Sequence, residues 1–305
     1  MANVIPRYKF ISLISFLLPK KIKFFLQPIW YFHLTIIRYL FNGGRIHYNF
    51  KLLTFICSKK CRVDKKKRIY SAIRSWREFR VWSDFGNDRK YPLYSHLEKL
   101  SEKDCLWSVG AANGLEGLWA YQITGCNVVF IEPFAPSIES IQKSIFFINK
   151  KTNNNSWYQL VQAAVHEKPS FIMFGTFGVP KAGEKFNSIN ESKNLNVLCQ
   201  NKKNKKEISV HQWIKQVSLD ELYENKKIPN PSILIIDVDG YESKVISGAK
   251  ELLKNKNLKK LIIEINYNNG PKILPRVKSF GFKEIDRYKH HVNIKHSAYD
   301  VFCKR

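Results

Sequence analysis

Acidic residues are scarce in this chain: 25 Asp and Glu stand against 51 Lys and Arg, a formal charge of +26. The excess suits an anionic partner, whether phosphates, an acidic substrate or a lipid surface. Residues 1–67 hold 14 Lys/Arg and one acid, Asp64, so half of the excess sits on less than a quarter of the length. Long apolar runs are missing. Phe10–Leu18 is too short for a bilayer, and Ile29–Leu40 is broken by His33 and Arg38; a span needs about 20 residues. No small-residue cleavage site follows Phe10–Leu18. Neither a transmembrane helix nor a cleaved signal peptide is expected, and the expected location is cytoplasmic. The six cysteines include no C-x-x-C pair. Cys57 and Cys61, four apart, fit one helix face and lack a second pair for zinc, so reduced thiols and no metal are expected. Internal repeats are absent, and so is the G-x-G-x-x-G fingerprint of dinucleotide binding.

Apolar residues make up 44% of the 305, enough for a real core. Residues 1–68 read as a basic, aromatic-rich helical appendage, suited either to an anionic membrane surface or to a cap packed on the remainder. Arg68–Leu100 reads as a helical lead-in. From residue 104 onward strand and helix patterns alternate, which predicts a mostly parallel α/β sheet. The expected strands are Asp104–Val109, Asn127–Ile131, Trp157–Val165, Phe171–Phe177, Ser232–Ile236 and Lys260–Ile265. The spacing predicts helices up to Ile123, over Ser137–Asn149, from Gly240 to Leu253 and near Lys272–Phe280. A hairpin of Phe282–Tyr288 with Ala298–Phe302 closes the domain, and Lys181–Glu207 reads as a polar insertion.

Chemistry concentrates at the strand ends, where open α/β sheets bind ligands. Leu106–Gly117, LWSVGAANGLEG, turns from a strand through glycines into a helix. Such a loop lets the backbone approach a ligand closely. Glu132 ends the next strand, 22 residues after Gly110, where a carboxylate can accept both hydroxyls of a ribose. Loop and acid together point to an adenosine-containing cofactor, a dinucleotide or S-adenosylmethionine. The spacing G-x-x-x-G-x-x-G, with Ala112 in place of a second glycine, disfavours the dinucleotide. Tyr223 and Lys227 have reductase-like spacing, but Pro229 ends any helix they would need. Asp237, Asp239 and Glu242 cluster after a buried strand and suit acceptor positioning, proton removal or metal binding; capping of the next helix accounts for one of them. His166 follows the third strand as a further candidate base. Asn/Asp-Pro-Pro-Tyr and Pro-Cys, which mark nucleic-acid modification, are both absent, so a nucleic-acid substrate is disfavoured.

These motifs, in order, resemble the FkbM family of S-adenosylmethionine-dependent methyltransferases. The resemblance rests on Arg77-Glu78 with Trp82, SVGAANG, Ile131-Glu132-Pro133-Phe134 with Asn149, Ser218-Leu219-Asp220, Ile236–Glu242 with Gly248-Ala249, and Ile263–Asn266. It implies a Rossmann-like class I methyltransferase domain over residues 69–305. It implies S-adenosylmethionine as cofactor, held by Ser108, Gly110, Ala112, Asn113, Gly114, Glu132, Pro133 and Ala163, with Asp237 near the methyl group. Asp239 and Glu242 are the first candidates for general base. A hydroxyl of a sugar or glycan-type acceptor is the implied substrate. Ser108 stands where the family loop opens with an acid, and Ala112 where it has Asn. The alternative these departures motivate is a protein that keeps the fold as a binding or membrane-associated module without turnover.

Overall fold

The computed structural model describes residues 35–37, 39–41, 43–61, 66–84, 92–152, 156–177, 188–190, 208–238, 240–266, 270–289 and 298–305. The chain divides into two compact units, 1–45 and 46–305. In the first, the described part is two short helical stretches, 35–37 and 39–41, and residues 43–45, where Gly44 packs so closely on the Tyr39 ring that a Cβ there would lie 2.4 Å from it.

The second unit is built on a seven-stranded sheet. Its strands are β4 (Cys105–Val109), β5 (Asn127–Ile131), β6 (Tyr158–Val161), β11 (Ile233–Ile236), β12 (Lys260–Asn266), β13 (Lys283–Lys289) and β14 (Ala298–Lys304). The order is β13-β14-β12-β11-β4-β5-β6. β4 pairs in parallel with β5 and β11, β5 with β6, and β11 with β12. Only the terminal hairpin is antiparallel. This is a Rossmann-like arrangement, mostly parallel with an antiparallel C-terminal hairpin. The central strands CLWSV and ILII are buried throughout, as unbroken apolar strands covered on both faces must be. Chain order reverses between β4 and β11, which places a crevice at their C-terminal ends.

Helix α3 (Leu115–Thr124) follows β4 and α4 (Ala135–Lys151) follows β5. Ile138, Ile141, Ile145 and Ile148 of α4 are all buried along one stripe. Each contributes about 2 kcal/mol relative to exposure. Beyond β6 the chain enters a second sheet of β7 (Ala164–Val165), β8 (Ser170–Phe177), β9 (Ser188–Asn190) and β10 (Ile208–Val217), in the order β7-β10-β8-β9. The expected strand Trp157–Val165 is therefore two strands in two sheets. After β10 come α5 (Leu219–Glu224), α6 (Glu242–Ser247), α7 (Lys250–Lys254) and α8 (Gly270–Ser279). The single helix expected up to Leu253 is broken at Gly248. A Cβ there would lie 2.4 Å from the His166 carbonyl oxygen, so the chain turns where it meets another backbone.

The segment read as a helical appendage is strand from residue 45 onward. β1 (Arg45–Asn49), β2 (Thr54–Lys60) and β3 (Arg68–Ile73) form a sheet in that order. Cys57 lies within β2 and Cys61 just beyond it, so they do not share a helix face. TFICSKK opens with β-branched Thr54 and Ile56 around aromatic Phe55, residue types that favour a strand over a helix. The helical lead-in begins only after β3, as α1 (Trp76–Asp84) and α2 (Leu93–Leu97). Ser75 and Glu78 form a reciprocal capping box at the start of α1.

The outer edge of β3 meets side chains in place of another strand. Gln122 of α3 accepts from the Tyr70 N–H at 2.7 Å and donates to the Tyr70 carbonyl at 3.0 Å. The Ser144 hydroxyl of α4 accepts from the Ala72 N–H at 2.8 Å, and Ser140 donates to the Ala72 carbonyl at 3.4 Å. These bonds satisfy an edge that would otherwise stay open to further pairing. Among the described residues no helix is long and apolar enough to cross a membrane.

Candidate active site

The crevice is formed by two loops that touch. Gly110 ends β4 with φ +73, and a Cβ on it would lie 1.8 Å from the Asp237 carbonyl oxygen. The Asp237 N–H donates to the Val109 carbonyl at 3.0 Å. Gly110 is thus required by its contact with the β11 loop as well as by its left-handed backbone. Gly114, φ +74, starts α3; a Cβ there would crowd Ile141 at 2.8 Å. Gly117 lets α3 lie against β5, with Phe130 2.4 Å from where a Cβ would be. The three glycines solve three different steric problems.

Glu132 is buried at the end of β5. Its Oε2 accepts from the Ala112 N–H at 2.7 Å, and its Oε1 from the Phe134 N–H at 3.0 Å. One carboxylate therefore ties the glycine loop to the start of α4. Ala112 is held at φ 48, a left-handed conformation that costs alanine more than Asn or Gly. Ser108 is buried within β4, in register between Ile235 of β11 and Phe130 of β5. Asn113 and Ala163 are also buried, and Pro133 is half-buried.

The acidic cluster separates by environment. Asp237 is half-buried at the end of β11, at the crevice. Asp239 lies outside the described residues. Glu242 is only 2% exposed, and its Oε1 accepts from the Gly240 N–H at 2.9 Å and the Val238 N–H at 3.4 Å. Burial pushes the Glu242 carboxyl above its ordinary range, and the nearby Asp237 charge adds to this. Glu242 thus holds the Asp237–Gly240 turn from inside. Among the described residues no His, Cys, Asp and Glu gather as a metal site. His166 is buried beside the Tyr241 ring, centroids 6.0 Å apart, a neighbour that the sequence spacing does not reveal.

Other motif residues serve the scaffold. Asn149 accepts from the buried Tyr121 hydroxyl at 2.9 Å. Asp220 Oδ1 accepts from the N–H groups of Glu251 and Leu252, both at 2.9 Å, and so caps α7 from a distant segment. Ser218 caps α5 by accepting from the Glu221 N–H at 3.0 Å.

Parts of the chain are similar to known proteins. Hexuronic acid methyltransferase AglP of Haloferax volcanii is 35% identical over 66 residues, covering 22% of this chain. The match spans only 27% of that protein's length. Among solved structures, a ribosomal protein L11 methylase from Lactobacillus delbrueckii aligns with 72% of this chain and 80% of its own at 11% identity, TM-score 0.40. A precorrin-6y C5,15-methyltransferase from Geobacter metallireducens aligns with 70% and 86% at 10% identity, TM-score 0.38. The sequence model of the methyltransferase FkbM domain matches residues 108–292, from Ser108 in β4 to beyond β13. With more than half of its length matched and the glycine loop, Glu132 and the Asp237 turn all inside the match, the chain belongs to the FkbM methyltransferase family.

Proposed function

We propose that this protein binds S-adenosylmethionine in the crevice between β4 and β11 and methylates a hydroxyl of a sugar-type acceptor. The observation that carries the reading is the junction of Gly110, Glu132 and Asp237. A glycine loop, a buried carboxylate at the end of the next strand and an acid across the switch point suit an adenosine cofactor with a reactive end near Asp237. The residue types fit the group: the Glu132 carboxylate would accept ribose hydroxyls, and the Gly110–Gly114 loop would offer its backbone to the cofactor. When bound, the cofactor supplies an electrophilic methyl group. The chain's own part is to hold the acceptor and to remove its proton.

A sugar hydroxyl has a high pKa, so a base contributes. Asp237 has that role, and Glu242 fixes the turn that presents it. The sugar acceptor is supported by the hexuronic acid named for the partly matching Haloferax volcanii relative. Replacing Asp237 with Asn should lower kcat by about 10²–10⁴-fold while leaving cofactor affinity and thermal midpoint unchanged. Wild-type turnover in that variant would remove Asp237 from the reaction.

A lipid surface is the partner proposed for the N-terminal region. The β1–β2 hairpin exposes Phe50 at 82% and Leu53 at 72%, with Lys51 between them. Tyr48 packs edge-on against Phe50 and Phe55, both at 5.1 Å. Aromatic side chains beside lysines suit the headgroup boundary of an anionic membrane.

A further inference from the structure

A cleft of about 230 Å³ opens between α6, α8 and the turn after β7. Its volume is roughly eight times a water molecule's share of the liquid, enough for one charged substituent and part of a ring. Three cations line it, Lys244, Lys272 and Arg276, against a single carboxylate, Glu167. Lys244 is paired with Glu167 at 3.0 Å. Arg276 Nη1 donates to the Ser247 hydroxyl at 2.6 Å, which orients the guanidinium before any ligand arrives. Ser243 adds a second hydroxyl one helical turn from Ser247 on α6. Lys272 lies in the first turn of α8 and makes no ion pair among the described residues.

The cleft shares its elements with the active site. α6 starts at Glu242, directly after the Asp237–Gly240 turn. Glu167 follows His166, whose ring lies against Tyr241 at the same helix start.

We propose that this cleft binds an oxyanion, a carboxylate or phosphate carried by the acceptor, and so restricts the methyltransferase to acidic glycans. The proposal rests on the methyltransferase reading above and specifies its substrate class. Two cations in excess, with low-dielectric walls, focus the field on an anion. A planar guanidinium already oriented by Ser247 matches two oxygens of a carboxylate or phosphate. Lys272 supplies a mobile point charge, and the Ser243 hydroxyl supplies a neutral donor, while the Ser247 hydroxyl is spent on the Ser243 carbonyl at 2.9 Å. A neutral sugar would leave the excess charge uncompensated.

The test is a calorimetric titration of the full chain with D-glucuronate, glucose 1-phosphate and glucose, each with and without saturating S-adenosylhomocysteine. At least one anionic sugar should bind tenfold or more tightly than glucose, and the better of the two identifies carboxylate or phosphate as the source. Lys272→Glu and Arg276→Gln should each remove that preference with S-adenosylhomocysteine affinity unchanged. Should Lys272→Glu fail to fold, Lys272→Gln should still reduce the preference at least threefold. Equal binding of charged and neutral sugars, no binding of either anion, or indifference to all the substitutions would overturn the proposal. Failure of the methyltransferase reading registers separately, as no binding of S-adenosylhomocysteine, and the cofactor-free titrations then decide the anion site by themselves.

Discussion

Gly110 and Glu242 hold the two loops of the crevice from opposite sides, and each admits a specific substitution test. An Ala at Gly110 would take a left-handed φ and press its Cβ into the Asp237 carbonyl. Strain and overpacking together should cost about 2–4 kcal/mol, read as a drop in urea midpoint with loss of cofactor binding. Glu242 is a buried carboxyl whose folded-state pKa lies above its ordinary 4.5 because burial disfavours the charge. Between that value and the raised one the folded chain holds more protons than the unfolded chain. Glu242 therefore supports the fold below pH 4.5, and this support is lost as pH rises through the raised value. Glu242→Gln keeps an acceptor for the Gly240 and Val238 N–H groups and removes the charge. Its stability against pH should be flatter than that of wild type, measured by urea melts across pH 4–8, with turnover retained. Loss of turnover at unchanged stability would instead make Glu242 the base. The sequence shows that Asp237 and Glu242 lie close together, but not that one faces the crevice and the other the backbone. That distinction depends on how the turn folds around the Gly240 N–H.

At the scale of elements, α4 shows what periodicity reveals and what it misses. The isoleucine stripe 138, 141, 145 and 148 is legible because apolar residues at helical spacing mark a core face. A second buried stripe, Ser137, Ser140 and Ser144 with Phe147, runs beside it. Serines at that spacing read as a solvated face, since a hydroxyl carries no sign that a strand edge is waiting for it. Strands β1–β3 go unread in the sequence for the same reason. Their basic, aromatic composition resembles a surface helix, and their edge partners are side chains of α3 and α4 far along the chain. β10 passes unread because it emerges from a polar run and pairs with β7 and β8. The central strands β4, β5, β11 and β12, by contrast, are legible within a residue or two, because burial on both faces demands apolar runs. Ser144→Ala removes the acceptor for the Ala72 N–H without adding bulk at this buried position. It should cost about 1–3 kcal/mol, read in the urea midpoint, with cofactor affinity unaffected. An unchanged midpoint would mean that the β3 edge does not depend on α4.

For the whole molecule, the proposals made above combine into an enzyme that works on acidic material near an anionic surface. The +26 charge is legible from composition, and its distribution in space is not. Lys272 and Arg276 are one helical turn apart on α8, a spacing visible in sequence, but Lys244 joins them only through the packing of α6. The hairpin at Phe50–Leu53 gives the surface proposal a sharp form. Vesicles containing anionic lipid should sediment the full chain at low salt and release it as salt rises, because surface attraction is screened over about 10 Å at 0.1 M. Phe50→Ser with Leu53→Ser should weaken that sedimentation several-fold. Equal sedimentation of this double variant would assign the contact elsewhere.

The central claim is that the crevice between β4 and β11 holds S-adenosylmethionine, and calorimetric titration of the full chain with that cofactor tests it most directly, with NADH titrated in parallel. The account predicts one saturable site for S-adenosylmethionine, abolished by Gly110→Ala, and no heat from NADH. No detectable binding of S-adenosylmethionine at millimolar concentration, or saturable binding of NADH in its place, would contradict it.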